Sequence, residues 1–382
     1  MAYILPFTCI YNFFTGRIMQ FINEIFKDIQ PLYPLEHFAR PDRILFIDIE
    51  TTGLSRESTT LYLIGCGYFD TDGYHTIQWF ADSPDEEPEV ITAFADYISD
   101  RFTCLMHFNG NRFDVPYLKH RALSHGIPDP LGSLESIDIY ALVKPYKKLL
   151  GLPSLRQRSI EQFLNINSDD PYTGKELIGV YHSYVRSPSD ELLAPLLYHN
   201  SEDLKGMAYI LPILHYTKLK ELKLSYVSHT LHSFSDYMGQ EQCEILAEYT
   251  HDAVIPVSFN TGTDRIRLSL RKNRTALLRL PVFRGELKKF YQNYRDYYYL
   301  PAEDCCIHRS AASGVSKERR TDAKKETCYT KHSGLFIPSI SSDPSMTLRT
   351  DYSSKELFVP YSDDKAETLL SDIGCSIISY IF

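Results

Sequence analysis

The sequence predicts an α/β domain with a mixed sheet flanked by helices, followed by a smaller β-rich accessory domain of the α+β type. Three observations lead to this fold class. Residues 43–50 form a continuous apolar run that ends in acids, which is typical of a buried central strand. Helix-like periodicity then alternates with short apolar runs as far as about residue 218. Beyond that point, short alternating runs are separated by turn-forming residues, which favours β structure.

The first part of the chain reads as an antiparallel meander followed by alternating helices and strands. A turn of the Asp-Gly hairpin type at residues 71–73 joins the second and third strands. The predicted strands are residues 43–50, 61–70, 74–82 and 104–109, with a strand-to-helix segment at 137–146. The predicted helices are residues 86–100, 113–126, 154–166 and 187–216, the last of them interrupted by prolines.

The chain is predicted to have three parts. They are an N-terminal segment (residues 1–39), the α/β domain (40–218) and the accessory domain (219–382). A chain of 382 residues agrees with two or three domains, because a domain usually takes about 100–200 residues. In the accessory domain, residues 310–327 are open between a helix and a mobile loop, and residues 339–347 read as a loop.

Composition and targeting signals restrict the class of protein. With 43% hydrophobic and 23% charged residues the chain is ordinarily globular, which excludes disordered, collagen-like and coiled-coil proteins. No strongly apolar run is long enough to predict a membrane-spanning helix. The apolar start lacks a basic region and a cleavage site, so we expect a short apolar element or a true start at Met19 rather than export. The eight scattered cysteines contain no Cys-x-x-Cys pair, which favours a reducing, cytoplasmic location.

Two acids stand at the end of the first predicted strand. Asp48 and Glu50 are separated by one residue, and alternation along a strand places both carboxylates on the same face. Two ionised carboxylates beside an apolar strand need a cation, and a hard divalent metal prefers oxygen ligands. Two solvated acids at a strand end are the alternative interpretation.

Two further constellations carry acids. Asp114 follows a predicted strand and opens a predicted helix, where it could also be a simple helix cap. His199 and Asp203 are four residues apart in a late helix, so their side chains share one face. A surface hydrogen bond between them is the alternative.

Taken together, the three constellations resemble the motifs of the DEDD superfamily of 3′–5′ exonucleases, which have the RNase H-like fold. FIDIETTG (46–53) is similar to the first motif, FNGNRFDVPYL (108–118) to the second and HNSED (199–203) to the histidine-type third motif. The likeness is strongest to the YprB-type ribonuclease H-like proteins of bacteria, including the middle segment SLRQRSIEQFLNI…DPYTGKELIGVYHSYV. It covers roughly residues 40–218.

The resemblance implies a role for each matching residue. Asp48, Glu50, Asp114 and Asp203 would ligate two divalent ions, Mg²⁺ or Mn²⁺, and His199 would orient or deprotonate the attacking water. In such sites two metal ions clamp the scissile phosphate.

Weaker assignments complete the predicted site. Thr51, Thr52 and Asn109 would contact the terminal nucleotide. An alternative alignment of the third motif, of the tyrosine type, would use Tyr198 and Glu202 instead of His199 and Asp203.

A basic and aromatic segment lies in the accessory domain. Residues 264–331 hold 17 Lys and Arg against 8 Asp and Glu, although the whole chain carries a net charge of −9. Cations beside aromatic rings suit single-stranded nucleic acid, because they bind phosphates and stack on bases. A solvated hairpin surface with tyrosines in an ordinary core is the alternative. The residues predicted to bind nucleic acid here are Arg265, Arg267, Lys288, Lys289, Tyr291 and Arg295.

The predicted function is that of a metal-dependent 3′–5′ exonuclease acting on single-stranded DNA or RNA. We expect nucleic acid as its partner, with no membrane and no small-molecule cofactor. Three alternatives stay open: a nucleic-acid-binding protein without turnover, an endonuclease on the same scaffold, and a non-enzymatic assembly protein.

Overall fold

The computed structural model describes residues 19–167, 170–340 and 347–382. The chain divides into two compact units. One extends to Lys148 and resumes at Leu152–Thr217, and the other holds Leu149–Gly151 and Lys218–Phe382. The apolar element predicted at the start of the chain (residues 1–18), and with it the question of a start at Met19, lies outside the described residues, as does most of the loop predicted at 339–347.

The first unit contains a six-stranded mixed sheet with helices. Its elements in chain order are β1 (Gln20–Phe26), β2 (Ile44–Thr51), β3 (Leu61–Phe69), β4 (Tyr74–Phe80), α1 (Glu87–Ile98), β5 (Cys104–His107), α2 (Asp114–Ser124), β6 (Glu135–Asp138), α3 (Ile139–Val143), α4 (Gln157–Phe163), α5 (Gly174–Arg186) and α6 (Asp190–Tyr209).

The strand order of this sheet is β1-β4-β3-β2-β5-β6. Strands β1 to β4 pair antiparallel, whereas β2–β5 and β5–β6 pair parallel. β2 and β3 are buried almost throughout, as their continuous apolar runs predict. β1 pairs with β4, so the sheet begins before the predicted boundary at residue 40. Its sequence QFINEIF mixes polar with apolar residues, as an edge strand can, and carries a weaker strand signal.

The turn predicted at residues 71–73 lies within the β3–β4 loop, residues 70–73, where Asp70 N–H donates to Gly73 O and the Asp70 carboxylate accepts from Asp72 N–H. One local prediction differs from the structure: the late helix, predicted to be interrupted by prolines, is continuous through Pro195 in α6. A proline costs a helix about 3 kcal/mol, which the long buried face of α6 offsets.

The second unit is dominated by antiparallel sheets. Its elements in chain order are β7 (Ser225–Ser235), β8 (Glu241–Thr250), β9 (Phe259–Gly262), β10 (Arg267–Leu270), β11 (Thr275–Pro281), β12 (Phe283–Phe290), β13 (Tyr297–Leu300), β14 (Cys305–His308), β15 (Thr321–Asp322), β16 (Tyr329–Pro338), β17 (Phe358–Tyr361) and α7 (Ala366–Ile381).

These strands form one five-stranded sheet, β7-β8-β11-β10-β9, and two three-stranded sheets, β12-β16-β17 and β14-β13-β15. Residues 310–327 contain the end of one short 3₁₀ helix (Arg309–Ala311), a second one (Lys317–Arg319) and β15, and no α-helix. The predicted fold class, a mixed sheet with flanking helices followed by β-rich structure, is confirmed. Across the described ranges, no helix is both long enough and apolar enough to cross a membrane.

Candidate functional site

The predicted acids of the first unit meet at the end of β2. Asp48 and Glu50 lie on β2, and Asp114 is the first residue of α2. The Asp114 carboxylate accepts a hydrogen bond from the Ile49 backbone N–H at 3.4 Å, which ties α2 to β2 beside both acids. The structure therefore brings together three acids that are separated by up to 66 positions in the sequence.

Helix α6 supplies the remaining two side chains. His199 and Asp203 lie one turn apart, and the His199 Nε2 is 3.7 Å from both the Glu50 Oε1 and the Asp203 Oδ2. Ligand atoms of these three residues all lie within 4.8 Å of one another. A spacing of this size allows a single ion to contact all three.

The two alignments of the third motif differ in which side chains would face Glu50. In the structure the His199 Nε2 lies near the carboxylates of Glu50 and Asp203, whereas Glu202 forms an ion pair with Lys205. This arrangement favours the histidine-type alignment, which stays a prediction.

His199 is oriented by a buried acid that the sequence analysis does not single out. The Asp170 Oδ2 lies 2.5 Å from the His199 Nδ1, and Asp170 is only 7% exposed. Because a carboxylate can only accept a hydrogen bond, the proton of a neutral imidazole is on Nδ1 and its lone pair is on Nε2, on the side of Glu50 and Asp203. Asp170 is the first residue of DPYTG, part of the middle segment that resembles the YprB-type proteins. That resemblance is the only feature of the sequence that points to Asp170.

Asp48 is oriented by a buried amide chain. The Asn200 Nδ2 donates to the Asp48 Oδ2 at 2.8 Å, and the Gln78 Nε2 donates to the Asn200 Oδ1, also at 2.8 Å. Gln78 thus fixes the orientation of the Asn200 amide, so that its NH₂ group must point at Asp48. Asn200 lies in the third motif, but no local pattern marks Gln78 on β4.

Gly65 on β3 provides the space for this amide chain. A Cβ at Gly65 would lie 2.0 Å from the Asn200 Oδ1, a distance at which the Asn200 side chain must move. The absence of a side chain at Gly65 is therefore a requirement of the contact between Asn200 and Asp48.

We expect Gly65→Ala to lower the free energy of unfolding of the first unit by about 1–3 kcal/mol, the usual cost of overpacking, and to reduce any metal-dependent activity. Thermal or urea unfolding measures the first effect. Gly179→Ala is the control, because a Cβ there meets nothing within 4 Å on helix α5; alanine should leave stability equal or raise it by up to about 1 kcal/mol. Equal stability of the two variants would contradict the packing argument.

The carboxyl groups of the site have raised pKa values. Burial, together with repulsion from the neighbouring acids, raises the pKa of Asp48 well above its usual range. The same two causes raise the pKa of Glu50 to about 8, although His199 partly opposes the shift. Burial raises the pKa values of Asp114 and Asp203 to about 6. For His199, burial lowers the pKa but the surrounding carboxylates outweigh it and raise it.

This electrostatic pattern matches a divalent cation. Several carboxylates that repel one another in a buried place are stabilised when a metal ion supplies the opposite charge. The donor set consists of carboxylate oxygens with one imidazole, and hard ions such as Mg²⁺ or Mn²⁺ prefer oxygen ligands. Glu50, His199 and Asp203 have ligand atoms close enough for one divalent ion, and the carboxylates of Asp48 and Asp114 act electrostatically on the same place, so the residues present fit a divalent metal.

The raised pKa of Glu50 predicts a pH-dependent difference in stability between the wild type and Glu50→Gln in EDTA. Glu50 ionises near pH 4.5 in the unfolded chain but near pH 8 in the folded one, so the folded state holds the proton between these values. Its contribution to stability is complete below pH 4.5 and is lost as the pH rises through 8. We expect the melting temperature of Glu50→Gln, relative to wild type, to increase steadily from pH 5 to pH 8.5.

Scanning calorimetry at several pH values measures this difference. Glu57→Gln is the control, because Glu57 lies on the surface away from the acids and should show no such rise. A difference that stays constant or falls between pH 5 and pH 8.5 would contradict the burial of a protonated Glu50.

The three residues predicted to contact the terminal nucleotide are Thr51, Thr52 and Asn109, and two of them form hydrogen bonds within the turn after β2. The Thr51 hydroxyl donates to Gly53 O, and the Thr52 hydroxyl accepts from Thr60 N–H, so both stabilise the turn after β2. Asn109 has a left-handed backbone with φ of 62°. Within the described ranges its buried Oδ1 has no hydrogen-bond partner, and its predicted contact with a nucleotide stays a prediction.

The two arginines predicted to alternate on one strand have different surroundings. β10 begins at Arg267, so Arg265 lies outside it. Arg265 forms an ion pair with Glu356, whereas Arg267 is exposed on the five-stranded sheet. The alternation at residues 265 and 267 therefore does not create one basic face.

The other predicted basic and aromatic residues lie on β12 or in the segment that follows it. Lys288 and Lys289 are on β12, and the Lys288 Nζ lies 4.2 Å from the centre of the Tyr329 ring. Tyr291 and Arg295 lie between β12 and β13. The contact of these six residues with nucleic acid stays a prediction.

Fold and site together define the class of the first unit as an RNase H-like domain with a carboxylate–histidine centre. A sequence model of the RNase H superfamily matches residues 45–214. This range includes Asp48, Glu50, Asp114, His199 and Asp203. Among curated proteins, no sequence matches this chain.

Solved structures of exonuclease I are similar to this chain at a distance. The E. coli enzyme with single-stranded DNA and zinc is 17% identical, with a TM-score of 0.28 over 54% of each chain. A product-bound exonuclease I is 16% identical, with a TM-score of 0.27 over 55% of this chain and 58% of that one. The E. coli enzyme with a dT13 oligonucleotide is 14% identical, with a TM-score of 0.27 over 54% of each chain. This chain thus matches only about half the length of these proteins.

Proposed function

We propose that this protein is a metal-dependent nuclease that hydrolyses phosphodiester bonds, acting as a 3′–5′ exonuclease on single-stranded nucleic acid. The observation that supports the proposal most is the convergence of four carboxylates, of which Glu50 is buried, with an oriented histidine on an RNase H-like sheet. Kinship with the YprB-type proteins, a bacterial and cytoplasmic setting, and an accessory role for residues 219–382 belong to the same proposal.

In this proposal Asp48, Glu50, Asp114 and Asp203 hold two Mg²⁺ or Mn²⁺ ions. Such ions, when bound, lower the pKa of a water and stabilise the charge that develops on the phosphate and on the leaving 3′ oxygen. The protein itself holds the ligands in place. The amide of Asn200 keeps Asp48 in one orientation, so the site is organised before substrate binds.

His199 is the general base of the proposed reaction. Its Nε2 accepts a proton from the attacking water, while Asp170 receives the Nδ1 hydrogen bond and stabilises the imidazolium that results. Asp170 acts through His199 and is therefore a positioning residue. Thr51 and Thr52 shape the turn beside the acids, and the Asn109 Oδ1 is proposed to accept a hydrogen bond from the terminal nucleotide.

The proposal is tested by digestion of single-stranded DNA and RNA carrying a label at the 3′ or the 5′ end, with Mg²⁺ or Mn²⁺ against EDTA. We expect a 5′-labelled strand to shorten progressively, and a 3′-labelled strand to release labelled mononucleotide first. Cleavage of a circular single strand would instead indicate an endonuclease. Intact strands with every metal, from folded protein that binds them, would replace the proposal with a binding protein without turnover.

A further inference from the structure

An open cavity of about 620 Å³ lies on the five-stranded sheet of the second unit. It is formed by three neighbouring strands, β9, β10 and β11, and the turn that follows β9. Its lining residues are Asn260, Thr261, Gly262, Thr263, Arg267, Ser269 and Arg279.

The two arginines of the cavity face each other across strands. Arg267 on β10 is paired in register with Arg279 on β11, and both side chains are exposed. Like charges directly opposite on a sheet are destabilising. Arg279 has a counterion, since its Nη1 lies 3.1 Å from the Glu244 Oε1. For Arg267, no ion pair with a carboxylate is found in the described ranges, so one positive charge of this pair is not compensated.

The space beside Arg267 exists because a glycine lies on its other side. Gly262 on β9 is its register partner, with φ of 152°. A Cβ at Gly262 would lie 1.9 Å from the Ile266 carbonyl oxygen, so a side chain is excluded by the backbone itself. The gap over Gly262 therefore leaves the Arg267 guanidinium accessible from the cavity.

The remaining wall offers hydrogen-bond donors. The Ser269 hydroxyl donates to the Asn260 Oδ1 at 2.6 Å, which leaves the donor-only NH₂ group of that amide for a ligand. Among the described residues, neither a carboxylate nor an aromatic ring lines the cavity. A cavity lined by hydrogen-bond donors and guanidinium groups, with no carboxylate in its lining, favours an anion as ligand. The geometry of a guanidinium group suits the oxygens of a phosphate group.

We infer that this cavity is a binding site for the phosphodiester backbone of a single nucleic-acid strand. The inference rests on the proposed function for the choice of a strand over a free phosphate. Because no ring is present for a base to stack on, the site takes the phosphate and the sugar and is indifferent to base identity. The charge that Arg267 leaves uncompensated is neutralised by one phosphate of the strand.

The test is the binding of a fluorescent oligothymidylate to the full chain in EDTA, so that hydrolysis does not interfere, at several KCl concentrations. We expect Arg267→Gln to weaken binding about threefold to tenfold and to reduce the salt dependence of log K by about 0.7, the value for one phosphate contact on a single strand. Arg284→Gln is the control, because Arg284 is exposed on β12 in another sheet. Equal melting temperatures of the two variants verify that both are folded.

Two further probes decide the ligand. A strand of abasic deoxyribose phosphates should show the same loss with Arg267→Gln, and its failure to do so would overturn recognition of the backbone. If inorganic phosphate binds as tightly as the strand, and if this binding is lost in Arg267→Gln, the inference that the ligand is a nucleic-acid strand would be wrong. If wild type cleaves nucleic acid but Arg267→Gln binds like Arg284→Gln, the cavity inference fails and the nuclease proposal stands. If wild type binds but does not cleave, and Arg267→Gln weakens binding relative to Arg284→Gln, the nuclease proposal fails and the cavity inference stands.

Discussion

Asp48→Asn is expected to reduce metal-dependent phosphodiester hydrolysis by about 1000-fold or more, equivalent to about 4 kcal/mol of transition-state stabilisation. The substitution keeps the size of the side chain and an oxygen that can accept from Asn200, so the fold is retained. It removes a carboxylate whose pKa is raised by burial and by repulsion from Asp203, Glu50 and Asp114. The loss is measured as the initial rate on a labelled oligonucleotide in Mg²⁺.

The same substitution should not lower the thermal stability of the metal-free protein, although it lowers the activity. In EDTA at pH 8 we expect Asp48→Asn to melt at the same temperature as wild type or higher, because one of the mutually repelling carboxylates is gone. A metal that binds only the folded state raises the melting temperature, and this rise should be smaller in the variant. An Asp48→Asn protein with wild-type activity, or with an unchanged response to Mg²⁺, would contradict the assignment of Asp48 as a metal ligand.

Glu202→Gln is the matched control for this experiment. Glu202 is the neighbour of Asp203 on the same helix, but its carboxylate pairs with Lys205 instead of facing the site. Removing its charge should leave both the rate and the metal-dependent melting temperature close to those of wild type. A loss as large as that of Asp48→Asn would favour the tyrosine-type alignment of the third motif.

His199→Gln is expected to lower kcat by about 100-fold to 10,000-fold, the usual contribution of a general base. Glutamine cannot accept and carry a proton as imidazole does, while the carboxylates that hold metal remain. The KM for the oligonucleotide should therefore change much less than kcat. A fall in metal affinity as large as that of Asp48→Asn would instead make His199 a metal ligand, which its position within 4.8 Å of Glu50 and Asp203 atoms also allows.

Asp170→Asn separates orientation of the histidine from proton transfer. An asparagine can still contact the His199 Nδ1, but it does not stabilise an imidazolium, so we expect kcat to fall about 10-fold to 100-fold with KM unchanged. Asp170→Glu, which keeps the charge, should recover part of the loss. A purely structural role would instead lower the melting temperature without this split between kcat and KM, and glutamate would not rescue it.

The elements of the first unit follow closely from the sequence. The apolar run before Asp48 and Glu50 forms β2, and the predicted helix that opens at Asp114 is α2. His199 and Asp203 share a helix face, as their spacing predicts. These features depend on residues close together in the chain, where alternation along strands and the helical turn determine which side chains share a face. Resemblance to known motifs adds the expectation that the three constellations belong to one site.

Other features depend on contacts between distant segments, which no local pattern records. Asp170 lies 29 residues before His199, and Gln78 lies 122 residues before Asn200. Their partners are chosen by the packing of α6 on the sheet, which also makes Gly65 necessary. The same reason explains β1, whose mixed sequence becomes a strand through pairing with β4.

In the basic segment, residues 264–331, the composition predicts the net charge but not the positions of the charged side chains relative to one another. Its net positive charge is a property of the sequence, but hydrogen-bonded register decides which cations meet. Arg265 pairs with Glu356, whereas Arg267 is opposite Arg279, which lies twelve positions further along the chain. By itself the sequence determined the order of the elements and the residue types of the acidic centre. Only the tertiary structure decided which groups orient those acids and where an uncompensated positive charge remains, because burial and pairing across strands set the energy of each charge.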